Sequence, residues 1–173
     1  MRADYRIATK RLVADEWHRL VRDVRPPTEL PLIVRSILTP SVTASLPAAW
    51  QGRYTQQRAR EWIAERDQEG KTLLVIERSS AAPIGLLVLF EDDSHSLRIG
   101  YMISEAVWGN GYATELMRGF VDWCRNARIR SVTAGVAPAN LASQRVLLNC
   151  GFSRSSRDED SAELFFRLLP DAR

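Results

Sequence analysis

Gly109 and Gly111 sit inside the run Trp108-Gly109-Asn110-Gly111-Tyr112-Ala113-Thr114, immediately ahead of a segment patterned as a helix. Glycine reaches backbone conformations closed to other residues and lets a ligand approach the main chain, and the first N–H groups of a helix have no partners within it. Together these features make a site for an anion. Two glycines that merely turn the chain into a helix would read the same way, so the loop alone leaves both readings open. It does exclude the common nucleotide sites. A dinucleotide fingerprint needs a third glycine where Thr114 stands and an acid about 20 residues further on. Asp122 is too near for that role and the next acid is Asp158. A P-loop needs Gly-Lys-Ser/Thr, and no lysine follows Lys71.

The elements that must position this loop can be read on both sides of it. From Ala113 onward Leu116, Met117, Phe120, Val121 and Cys124 recur on one face of an amphipathic helix. Ahead of the loop, residues 72–77, 84–90 and 97–104 read as strands of an antiparallel meander, separated by SSAAP and EDDSH. Behind it come a strand over 131–136, a helix introduced by Pro138 and Asn140 and stopped at Gly151, and strand material near Phe152 and over 162–169. Upstream, residues 1–13 suggest one short strand, and Asp15 is placed to cap a helix through Trp17, Leu20 and Val21. Pro26, Pro27, Pro31, Pro40 and Pro47 predict loops and short turns, so 24–54 reads as an irregular, substrate-side region. Trp50, Arg53 and Tyr54 are its candidate contacts, with core packing an equal account of the aromatics. Thr55 caps a polar helix carrying Ala59, Trp62 and Ile63, and Gly70 fits a left-handed cap at its end. The order predicts an α+β fold: one domain over 1–173, with a mixed, mostly antiparallel sheet flanked by helices.

Composition narrows the functional classes. The 173 residues are 45% hydrophobic and 26% charged, ordinary for one globular domain. The longest apolar run, 84–90, is far short of the roughly 20 residues of a spanning helix, and residues 1–11 lack the pattern of a signal peptide. The expectation is a soluble, cytoplasmic protein with no membrane partner. Cys124 and Cys150 have no CxxC spacing and read as small core residues, not as a disulfide or a metal site. The net charge of +3 is too small to imply nucleic-acid binding. Its distribution says more: 123–157 has no acid but holds Arg125, Arg128, Arg130, Arg145, Arg154 and Arg157. Such a stretch suits a polyanionic cofactor, or a solvated face balanced by acids elsewhere.

IGYMISEAVWGNGYATELM, from Ile99 to Met117, resembles the fourth strand, pyrophosphate loop and following helix of the GNAT superfamily of N-acetyltransferases, whose loop reads Gln/Arg-x-x-Gly-x-Gly/Ala. The Trp-Gly-x-Gly-Tyr-Ala-Thr-Glu form resembles the branch of ribosomal-protein N-terminal acetyltransferases, the RimJ/RimL group. A second stretch, Asn140-Leu-Ala-Ser143 through Gly151-Phe152, resembles that branch's Asn-x-x-Ser motif. The clear similarity covers 84–153; Thr9-x-Arg11-Leu12 weakly resembles the branch's opening strand.

The resemblance implies an acyl-CoA N-acyltransferase-like fold, acetyl-CoA as cofactor, and a CoA-binding core over 97–153. Carried onto this chain, it gives Met102, Ile103 and Ser104 main-chain contacts to the pantetheine arm. Gly109, Asn110, Gly111, Tyr112 and Ala113 then offer N–H groups to the pyrophosphate, and Thr114 a hydroxyl. Trp108 replaces the superfamily's Arg or Gln but matches the branch. Asn140 is implied to bond the pantetheine arm, alongside a second reading as an N-cap. Ser143 is implied as the catalytic residue that donates a hydrogen bond to the departing thiolate, against a second reading as a helix serine without duty. Two positions depart from the pattern: Leu147 stands where many members carry a Tyr acid, and Arg98 where many carry an acidic base. Glu91, Asp92 and Asp93 at the preceding turn are the remaining candidates for a base.

The implied reaction is direct attack by a primary amine, either a protein N-terminal α-amine or a small-molecule amine, on acetyl-CoA, by a monomer or homodimer. Without a strong base a low-pKa acceptor is favoured, because an α-amine near 7.7–8.0 is neutral roughly a few hundredfold more often than a lysine near 10.4. The competing class is a non-catalytic acyl-CoA-binding sensor or interaction domain, and turnover distinguishes the two.

Overall fold

Two hydrophobic surfaces, one on each face of a single sheet, organise the computed structural model, which describes residues 4–92, 94–155 and 162–170. A hairpin of β1 (Ile7–Ala8) and β2 (Leu12–Glu16) leads into short α1 (Trp17–Leu20), then α2 (Leu30–Ile37), α3 (Pro40–Thr43) and α4 (Gln56–Glu69). The meander follows as β3 (Lys71–Glu77), β4 (Pro83–Glu91) and β5 (Ser96–Ile103). Then come α5 (Tyr112–Asn126), β6 (Ser131–Val136), α6 (Leu141–Asn149), β7 (Ser153–Arg154) and β8 (Leu164–Leu168). The sheet order is β1-β2-β3-β4-β5-β6-β8-β7, antiparallel throughout except for β5 beside β6. That parallel pair exists because α5 carries the chain back across the sheet between them. The fold is therefore α+β with an open, mostly antiparallel sheet, as the sequence predicts. Among the described residues no helix is long and apolar enough to cross a membrane.

The face of α5 carrying Leu116, Met117, Phe120, Val121 and Cys124 is buried against Leu87, Leu89, Leu97, Ile99 and Val132. The other face packs Leu74, Ile76, Leu86, Val88 and Met102 against α2 and α4. Cys124 and Cys150 are both free and buried, as expected.

Four local expectations are corrected. The opening stretch forms a hairpin instead of one strand. Asp15 does not cap a helix; it is a fully buried β2 residue whose carboxylate meets Arg6 at 3.0 Å and Arg19 at 2.8 Å. The proline-rich stretch contains helices, because Pro31 and Pro40 occupy first-turn positions where a missing N–H costs nothing. Gly70 is extended, with φ of −179°, and is needed for another reason: a Cβ there would stand 2.2 Å from the Leu89 carbonyl oxygen.

Candidate active site

The loop owes its shape to glycine. Gly109 and Gly111 both have φ of +77°, in the left-handed region that other residues enter at a cost. Gly111 is the N-cap of α5 and has no side chain to bond the first helical N–H groups, which leaves them to a ligand. Asn110 braces the turn by donating its amide to the carbonyls of Val107 at 2.9 Å and Trp108 at 3.2 Å.

A carboxylate in the first turn of α5 would repel an anion, yet Glu115 stands there. It is consumed by the first hairpin: it accepts from Thr9 Oγ1 at 2.6 Å, the Arg11 backbone N–H at 2.8 Å and Arg11 Nε at 2.6 Å. Burial raises its pKa, but these hydrogen bonds outweigh that effect and hold the carboxyl below its usual value. Arg11 also donates to the Asn110 carbonyl at 3.0 Å and lies 4.3 Å over the Tyr112 ring, whose hydroxyl bonds Glu77. Thr9, Arg11 and Glu115 thus clamp the loop, a role that the sequence hints at only through Thr9-x-Arg11.

A cavity of about 430 Å³ opens where β5 leaves β6. β6 pairs with β5 only from Ser96 to Ile99, whereas β4 follows β5 as far as Ile103. Its walls are Tyr101, Met102 and Ile103 of β5, the loop with the start of α5 (Val107, Trp108, Gly109, Gly111, Tyr112, Ala113, Thr114), and Asn140, Ala142, Ser143 and Val146. Ser41, Val42, Ser45 and Leu46, in and just after α3, close the other side. Of the residues singled out from sequence, Ser104 and Asn110 do not line it. Ser104 spends its N–H on the Ile84 carbonyl at 2.8 Å, and Trp108 Nε1 donates to the Ile103 carbonyl at 2.8 Å. Asn140 takes its capping role, accepting from the Ser143 N–H at 3.1 Å.

Tyr101 is the residue that sequence reading passes over. Its hydroxyl lies 2.7 Å from Ser143 Oγ inside the cavity, and burial pushes its pKa up to about 12, against a smaller opposing effect of the Ser143 hydrogen bond. Leu147, at the position of the missing Tyr, is fully buried in the core and cannot reach the cavity. No carboxylate or imidazole lines the cavity among the described residues. Glu91 accepts from Tyr5, and Asp92 bonds Ser94 and Ser96, which lowers its pKa. Asp93 and Arg157 lie outside the described residues. The other arginines of 123–157 stay off the cavity, and Arg125 pairs with Asp122 at 2.8 Å. Trp50 and Tyr54 go to core packing around Trp62, and Arg53 is exposed and lies off the cavity.

The chain is similar to a probable N-acetyltransferase, YjcK of Bacillus subtilis, at 37% identity over 75 residues, 41% of each chain. It spans about half the length of the curated relatives it matches. Its fold is similar to a GNAT-family acetyltransferase from Bacillus anthracis, with a TM-score of 0.77 at 17% identity over 96% of this chain and 99% of that one. It is also similar to RimL, a ribosomal L7/L12 α-N-protein acetyltransferase solved with coenzyme A, with a TM-score of 0.70 at 15% identity over 95% and 97% of the two chains. The family model described as an acetyltransferase (GNAT) domain matches residues 20–153, and the chain belongs to that family.

Proposed function

We propose that the chain is an acetyl-CoA dependent N-acetyltransferase acting on a primary amine, with an N-terminal α-amine or another low-pKa amine as acceptor. One observation carries the reading: a single cavity gathers the left-handed glycine loop, the freed edge of β5 and the Tyr101–Ser143 pair. The fit of acetyl-CoA to these residues rests on that cradle. The N–H groups of Gly109, Gly111, Tyr112 and Ala113, with the Thr114 hydroxyl, hold a pyrophosphate at the start of α5. The Ile103 main chain, on the edge of β5 that β6 leaves after Ile99, receives an extended pantetheine arm, as an added strand would be received, while the register turns the Met102 main chain toward Leu86 of β4. Similarity in fold to RimL, solved with coenzyme A, supports coenzyme A as the ligand.

When bound, acetyl-CoA supplies an acetyl group activated as a thioester. Ser143 Oγ holds a proton at the cavity wall for the departing sulfur, and Tyr101, protonated because burial disfavours its phenolate, backs that hydrogen bond. With no base lining the cavity among the described residues, the acceptor enters neutral, which favours amines of low pKa.

Substitution Gly111→Val puts a β-branched residue at φ of +77°. The expected result is loss of acetyl-CoA binding by calorimetry with the circular dichroism spectrum kept; unchanged binding would remove the basis for the assignment. Tight binding by the wild type without thiol release for any amine in a panel would favour a sensor.

A further inference from the structure

We infer that the acceptor carries a negative charge and that Arg98 and Arg167 bind it. This inference rests on the acetyl-transfer reading above and adds the class of acceptor. A groove of about 590 Å³ runs over the half of the sheet that α2 and α4 leave uncovered, with Phe90, Arg98, Thr133, Phe165 and Arg167 among its lining. The register makes this a row: Phe90 pairs with Arg98, Arg98 with Thr133, and Thr133 with Arg167, so the two guanidinium groups flank a threonine hydroxyl on one face. Both arginines are exposed, and neither makes an ion pair among the described residues. Arg98 instead lies 4.8 Å over the Phe90 ring. The acids at the groove's rim are committed elsewhere, Glu91 to Tyr5 and Asp92 to Ser94 and Ser96.

Groove and cavity share no lining residue, but both lie along β5, the groove at Arg98 and the cavity at Met102. Alternation puts Arg98, Gly100 and Met102 on the same face, and a Cβ on Gly100 would meet nothing within 4 Å, so the floor between groove and cavity is open. At about 3.3 Å per strand residue, Arg98 lies roughly 7 Å from Gly100 and 13 Å from Met102. An amine delivered to the cavity from this side therefore carries its anionic group two to four residue lengths away. A peptide whose third, fourth or fifth residue is Asp or Glu fits, as does a small amine with a carboxylate or phosphate at that reach. Arginine recognises both anions through charge-assisted hydrogen bonds.

The test compares kcat/KM for tetrapeptides with a free N-terminus and Glu or Gln at position three, and for carboxylated and phosphorylated small amines against neutral ones. The enzymes are wild type, Arg98→Gln, Arg167→Gln and the double variant. The wild type is expected to favour the anionic member of each pair by about tenfold or more, with the preference shrinking as salt rises. The double variant is expected to lose that preference while keeping its rate on neutral acceptors. The peptide and small-amine arms identify which source the groove takes. Equal rates on charged and neutral acceptors, with transfer intact, would overturn the inference alone; no transfer to any amine would overturn the reading beneath it. Asp158, Glu159 and Asp160 precede Arg167 by seven to nine residues in the chain. A preference that emerges only after they are neutralised would assign the arginines to the chain's own acids and also overturn the inference.

Discussion

The hydroxyl of Tyr101, on β5, lies 2.7 Å from Ser143 Oγ, on α6, bridging residues 42 positions apart across the mouth of the sheet. The pair gives one prediction for catalysis. Tyr101→Phe keeps the ring and removes the bond, so kcat should fall on the order of tenfold while the affinity for acetyl-CoA stays near wild type. On the proposal that the two hydroxyls act as a unit, Tyr101→Phe combined with Ser143→Ala should be little slower than Ser143→Ala alone. Thiol-release kinetics check both points, and additive losses would separate the two residues. Tyr101 is raised to about 12, so it stays protonated over an ordinary assay range. The pH–rate profile of Tyr101→Phe should then keep the wild-type shape at a lower level.

Glu115 gives a prediction for acid stability. Its folded carboxyl sits below the usual 4.5, so the stabilisation it supplies is fully present above that value and is lost as pH falls through the folded pKa. Glu115→Gln should lower stability at pH 7 by about 1–3 kcal/mol, since Thr9 and Arg11 lose a charged acceptor. Its stability should also decline less steeply than wild type on the acid side of pH 4.5. Urea titrations at a series of pH values read both effects; parallel curves for the two proteins would sink the proposed role.

Gly70 gives a prediction about packing. Gly70→Ala forces a Cβ to within 2.2 Å of the Leu89 carbonyl oxygen, a backbone atom that can move only with β4. The cost should be about 2 kcal/mol or more. Gly109→Ala, where a Cβ meets nothing within 4 Å, should cost only the left-handed penalty of about 1–2 kcal/mol. Urea midpoints with unchanged slope would measure the difference.

What could be read from sequence is what depends on near neighbours. The apolar offsets after Ala113 define α5, and the spacing of Gly109 and Gly111 marks its N-terminus, because periodicity and left-handed turns are local properties. Contacts between distant segments left no such trace. Tyr101 reads as one more strand aromatic until α6 folds over it, and Arg11 and Glu115 are 104 residues apart. Gly70 sat where a helix cap is expected, but the pressure for glycine came from Leu89 on a neighbouring strand. Five prolines within 26–47 predict irregular chain, yet two of them begin helices, because their place in the first turn decides the outcome and not their number.

The clamp on the glycine loop ties binding to the folding of the whole chain. Thr9 and Arg11 reach Glu115 only once the first hairpin has docked on α5, so the binding geometry is absent from any state in which that long closure is open. A donor that recognises the closed loop alone stabilises the native chain by mass action, rising with the logarithm of its concentration over its Kd. Abundance of the protein in a cell would then follow the supply of its own acyl donor.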